Sequence, residues 1–330
     1  MATTEAPKIE GSALPYPEHD KLGPMGFRAS VLHDPIELRA RLVGEFTSAV
    51  HAARDAAATV ELGSAAAVHE SRKALRRARA ALILMASALP KSERRAVKTA
   101  LQEARRSLST IRDHSVAPET LGRLELSDDD RSTAKRVLDN AAEAIPVAAE
   151  IKQLLGEAAA RAAAQAEALE AALPSKVTWD DVLDGIRHVY AAARRARMGG
   201  KKSKSVFHSW RRRSKELAYT LDFVAKHTGP RAAAIHSEID AITDTLGPAV
   251  DLIMVREFVE THGQSIPGDA IHHLRDSIDK QLEELMKSAR KEGRDAFHLK
   301  GKKFERRLTK AVKRDLTPPD EERSNGELAD

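Results

Sequence analysis

The chain has 330 residues and a formal charge of +5; 42% of it is hydrophobic, only 4% is aromatic, and there is no cysteine. This length and apolar content support one large or two ordinary domains, with small-residue helix packing rather than an aromatic-rich core. The lack of cysteine excludes disulfides, thiolate chemistry and cysteine–zinc sites. No apolar run has membrane-spanning length and the N-terminus carries no charged-then-apolar signal pattern, so a cytoplasmic protein is expected.

Residues 1–35 are rich in Pro and Gly without periodicity and are predicted to be a disordered extension. From about Asp34 onward Ala, Leu, Glu, Arg and Lys dominate, with apolar residues at three- and four-residue spacing. No stretch alternates as a strand, so the fold class is all-α. Breaks are predicted near Leu62-Gly63, Leu89-Pro90, Ile145-Pro146, Leu173-Pro174, Gly199-Gly200, Gly229-Pro230, Gly247-Pro248 and Pro267-Gly268. They leave roughly ten helices of ordinary length, as in packed bundles. Residues 315–330 hold six acids against one base and are expected to form a disordered acidic tail. Without them the body has 53 bases and 43 acids, and Gly185 to Lys215 alone has eleven Lys or Arg and no acid. Such a concentrated field steers anionic partners.

Two segments carry most of the chemistry. In Val68–Leu82, His69 is followed at +3, +4 and +7 by Arg72, Lys73 and Arg76, with Arg77 and Arg79 beside them. In Phe207–Phe223, His208 is followed at the same intervals by Arg211, Arg212 and Lys215. Helical spacing puts each histidine and its cations on one side of a helix, where like charges at i, i+4 repel. A polyanion would remove that cost. Arginine forks suit phosphate, and the helix N-terminus adds to the attraction. Serine five residues before each histidine (Ser64, Ser203) is a candidate N-cap. The histidines lie 139 residues apart, and Asp113 and Asp251 follow at nearly the same offset. This order implies a duplication, with halves of about 36–173 and 174–314. Core packing is the reading for Phe207, Trp210 and Tyr219.

The segments Val68–Leu82 and Phe207–Phe223 resemble the two hallmark motifs of the CHAD family, the conserved histidine α-helical domains. Tyr190 to Arg195 resembles the Tyr-x-x-x-Arg segment upstream of the second motif. Arg112-Asp113 and Asp251-Leu252 resemble the helices that follow the motifs, and Phe297 with Phe304 to Leu308 resembles the C-terminal helix. The resemblance spans roughly residues 35–314. It implies two pseudo-symmetric four-helix bundles in one CHAD domain, with a basic central groove or pore. It also implies non-enzymatic binding of inorganic polyphosphate and association with polyphosphate granules. Carried over by position, the polyphosphate-binding residues are His69, Arg72, Lys73, Arg76, Arg77 and Arg79, then His208, Arg211, Arg212 and Lys215, with Arg194 from the upstream segment. The second half departs from the first: Glu216 and Ala218 stand where the first motif has Arg77 and Arg79. The first half is therefore expected to dominate affinity, with Arg194, Arg195, Arg197 and the loop Lys201 to Lys204 as substitutes in the second. No counterpart of the CYTH domain attached in many members is expected in this sequence.

Neither a cofactor nor a metal is expected: no two histidines lie at i, i+4, and no nucleophile, Walker loop or carboxylate cluster is recognisable. Nucleic acid is the alternative partner, although scarce aromatics argue against stacking of single-stranded bases. A third reading is an accessory subunit of a polyphosphate-processing enzyme.

Overall fold

The computed structural model describes residues 34–142, 146–199 and 204–317. The proposed extension, most of the acidic tail and the loop Gly200–Ser203 lie outside the described residues, as do the side chains of Arg112, Asp113 and His114. Twelve α-helices account for nearly all of the described residues, and no strand occurs among them. They are α1 (Pro35–Ala58), α2 (Ser64–Leu84), α3 (Lys91–Ser107), α4 (Ser109–Arg123), α5 (Asp128–Ala142) and α6 (Ala148–Ala163). The rest are α7 (Ala166–Ala172), α8 (Trp179–Gly199), α9 (Lys204–His227), α10 (Pro230–His262), α11 (Gly268–Ala296) and α12 (Gly301–Leu316).

Local chemistry sets some of the ends. Asp34 caps α1, accepting a hydrogen bond from Ile36 N at 2.9 Å, and Pro35 takes the first turn. Pro90 and Pro267 stand at the N-caps of α3 and α11. The N-cap of α2 is Gly63, which makes no side-chain cap bond, so Ser64 is not the cap residue. The expected break at Gly247-Pro248 does not occur: α10 runs through both as a helix of 33 residues. Proline removes one intrahelical donor there. Continuous burial of Leu246, Ala249, Val250, Leu252 and Ile253 on both sides holds the helix together against that loss.

The core is largely alanine and leucine. Ala67, Ala74, Ala78 and Ala81 of α2 pack with Leu38, Leu42, Phe46, Ala49 and Ala53 of α1, all nearly inaccessible to water. The few aromatics are concentrated instead of scattered. Tyr190 of α8 stacks on Phe304 of α12 with ring centroids 3.8 Å apart, and Phe297 lies 5.5 Å from Tyr190. Trp210 of α9 meets Phe207 edge-on at 5.2 Å. Phe207 and Trp210 are thus core residues, as read from their spacing. Burial pushes the Tyr190 phenol up to about 12, and its hydroxyl donates to Leu299 O at 3.1 Å.

Chain order and packing partners do not coincide. α1, α2, α3 and α6 pack on one another, and α8 to α12 do likewise. Yet α4 and α5, early in the chain, pack on α10 and on α10 and α11 respectively. The two motif helices, α2 and α9, touch directly. This contact brings segments far apart in sequence into one site.

Candidate functional site

On α2 the apolar stripe Ala67, Val68, Ala74, Leu75, Ala78 and Leu82 is buried, which turns the basic stripe away from that core. On α9 Phe207, Trp210, Ser214, Leu217 and Leu221 are buried, and His208, Arg211, Arg212 and Lys215 keep contact with solvent. The two polar faces meet over a cleft of ≈ 410 Å³. Its walls hold Arg72, Arg76 and Arg79 from α2, Arg105 from α3, and His208, Arg211, Arg212 and Lys215 from α9. Val250 and Met254 of α10 supply apolar surface, Ser109, Ser209 and Tyr219 supply hydroxyls, and Glu216 and Glu257 are the lining carboxylates.

The cleft thus gathers seven Lys or Arg against two carboxylates, and in three of these cations burial, with like-charge repulsion added to it, disfavours the charged form. Burial holds Arg105 below the ordinary arginine range, and Arg79, Arg76 and Arg212 add like-charge repulsion, with Glu216 opposing. Burial likewise lowers Arg212, joined by Arg213 and Arg79. Lys215 is lowered by burial first; Asp240 and Asp244 oppose the shift, and Arg211 and Arg76 add to it. An anion entering here would relieve all three.

The expected residues divide into groups. Arg76, Arg211, Arg212, Lys215 and His208 line the cleft. His69 does not reach it. It is exposed and lines a smaller cavity of ≈ 240 Å³ whose wall, Arg72 and Arg76, is shared with the cleft. Arg72 lines both but is largely buried, and its Nη1 donates to Arg105 O at 3.2 Å and Leu108 O at 3.0 Å. It thereby satisfies carbonyls left over at the C-terminus of α3. Lys73 pairs with Glu70 at 3.4 Å, and Arg77 lines neither cavity. Arg194 donates to Met198 Sδ at 3.5 Å on α8 and is no part of the cleft. Arg105, Tyr219, Ser109 and Glu257 were not anticipated as site residues. Arg105 stands in the last turn of α3, where a cation has an ordinary explanation in the helix dipole.

Behind the cleft lies a second cavity, of ≈ 510 Å³, lined by Lys91, Arg94, Arg95 and Lys98 of α3 together with Arg79 and Arg213. Glu216 stands between the two cavities. Its carboxylate lies 2.8 Å from Arg79 Nε and accepts a hydrogen bond from Arg213 Nη1 at 2.8 Å. The residue at which the second motif departs from the first is therefore buried and engaged with both guanidinium groups.

Among the described residues no group of three or more His, Cys, Asp or Glu is placed to hold a metal ion. No helix there is long and apolar enough to cross a membrane.

The crystal structure of the CHAD domain from the plant Ricinus communis superposes with a TM-score of 0.53 at 18% identity, covering 84% of this chain and 97% of that one. The likeness speaks for the fold. No curated protein matches the chain. The family model of the CHAD domain matches residues 45–260, which includes both basic helices and the walls of the cleft between them. The chain belongs to the CHAD family.

Proposed function

We propose that the protein binds inorganic polyphosphate, without chemistry of its own, in the cleft between α2 and α9. The observation that carries this reading is the convergence of seven cations from three helices on a cleft with two carboxylates. A linear chain of phosphates matches such a surface because every unit is charged and none needs a base-stacking platform. In this reading the cleft is the groove between two pseudo-symmetric helical bundles that do not coincide with the sequence halves, since α4 and α5 pack on α10 and α11. A cytoplasmic protein recruited to polyphosphate granules is the setting that follows. His208 donates to phosphate directly, and His69 guards the flank beyond Arg72 and Arg76.

The test is a calorimetric titration of the parent and of the variant R76E/R211E/R212E with polyphosphate of defined length. The reversal leaves Arg72 and its structural bonds in place. Loss of binding with retained helicity is expected, and binding equal to the parent would reject the site. Competition by RNA and DNA at fixed salt separates the nucleic-acid reading. Equal potency per phosphate would make the protein a generic polyanion binder.

A further inference from the structure

α11 carries a cation ladder of its own. Lys287 is followed at +3, +4 and +7 by Arg290, Lys291 and Arg294, the spacing found after the motif histidines. These four, with Arg197 reaching over from α8, line a surface cavity of ≈ 550 Å³. It shares no lining residue with the cleft or with the cavity behind it.

The cavity is strongly cationic, with five Lys or Arg among its seven lining residues. Glu284 is its one lining carboxylate. Glu292, next along the helix, is turned to Thr245 and Ser288. None of the five cations forms an ion pair among the described residues, and Arg197 Nε and Arg290 Nε are buried without a hydrogen-bond partner there. Burial holds Arg197 below the ordinary arginine range, with Arg194 and Arg294 adding repulsion and Tyr190 opposing. The close approach is built into the sequence. A Cβ at Gly293, between Lys291 and Arg294, would overlap the Trp210 ring and stand 3.3 Å from Arg197 Cδ. Glycine at this position leaves room on α11 for the Trp210 ring and the Arg197 side chain, and Arg197 comes within reach of the Arg294 charge.

We infer that α8 and α11 form a second binding site for a chain of linked phosphates, separate from the cleft. The ligand class follows from the geometry and rests on the function proposed above. The ladder extends about 10 Å along α11 at about 1.5 Å per residue, too long for one phosphate to engage. No aromatic side chain lines the cavity, so nothing there stacks a nucleobase.

The experiment uses the full chain with inorganic tripolyphosphate and with long-chain polyphosphate, and reads stoichiometry and affinity by calorimetry. K287Q/K291Q/R294Q should bind one tripolyphosphate fewer per chain and hold long chains at least severalfold more weakly, with an unchanged melting temperature. K291Q alone removes an exposed, unpaired charge and should weaken the second site without abolishing it. Unchanged stoichiometry and affinity in the triple variant would overturn the inference. The cleft variant R76E/R211E/R212E should keep the α11 site. If that variant binds as the parent while the α11 variant loses a site, the cleft reading fails and this one stands. If the α11 substitutions weaken RNA more than polyphosphate, the ligand assignment is wrong.

Discussion

Glu216 lies 2.8 Å from Arg79 Nε where α9 meets α2, and the pair joins the two motif helices at one buried point. In the first motif the equivalent position holds Arg77. The acid in place of a base thus supplies a partner for an arginine of the other motif helix. It also offsets part of the charge that Arg79 presents to the cleft.

Replacing Glu216 by Gln should therefore have two opposed effects. Arg79 and Arg213 lose their counter-charge, so polyphosphate affinity should rise severalfold and the salt dependence steepen by about one phosphate contact. Stability should fall, because removing one partner of a buried ion pair costs up to about 3–5 kcal/mol. Titration at several salt concentrations and thermal unfolding check both. Unchanged affinity would place Arg79 outside the ligand's path.

Arg72 should behave as a structural residue more than a binding one. Its Nη1 holds Arg105 O and Leu108 O, and its side chain is largely buried. Hydrogen bonds from a charged group contribute about 1.5–3 kcal/mol each, so R72Q should lower the melting temperature clearly. R72K keeps the charge but not the planar fork and should also destabilise. R76K, at a half-buried position on the cleft wall, should leave the melting temperature nearly unchanged. Equal melting of R72K and the parent would contradict this assignment.

The motif helices were legible in the sequence because a helical face depends only on residue spacing. Arg76, Arg211, Arg212 and Lys215 follow from that rule alone. Spacing does not say which helix faces which. Arg105 enters the cleft from α3 through tertiary packing, and Lys73 and Arg77, read with their neighbours, do not line it. His69 and His208 are equivalent in sequence but line different cavities, since α2 and α9 meet different neighbours. The unbroken α10 was hidden for a related reason: Gly247-Pro248 is a local signal, and burial along the whole helix outweighs it.

His227 gives the fold a defined response to acid. Burial first, then the Arg41 and Lys226 charges, push its imidazole down to about 4, against the opposing Asp222 and Glu37. The unfolded chain takes up this proton near pH 6.5 and the folded chain only near pH 4. Stability contributed by this group is therefore constant above about pH 6.5 and falls as pH drops to about 4. H227F should flatten that part of the stability–pH curve, with Phe223 still available for ring contact. An unchanged curve between pH 4 and 6.5 would assign the acid sensitivity elsewhere.

Asp315 should matter far from its own helix. It belongs to α12 although it reads as the first acid of the tail, and its side chain is fully buried. The N-cap of α10 is Gly229, with φ 156°, a conformation L side chains rarely adopt, and glycine has no side-chain oxygen to offer the first turn. Asp315 supplies it instead. Oδ2 accepts from Ala232 N at 2.9 Å, Oδ1 accepts from Arg231 N at 3.2 Å, and Arg231 Nη1 lies 3.5 Å from Oδ1. A carboxylate there satisfies two orphan donors and meets the positive end of the helix dipole. D315A should cost about 1–2 kcal/mol, the upper range for a lost N-cap. A chain ending at Thr317 keeps the cap and one ending at Arg314 loses it, so the second should melt lower. If both melt together, the contact contributes nothing, and α10 is held by its buried face alone.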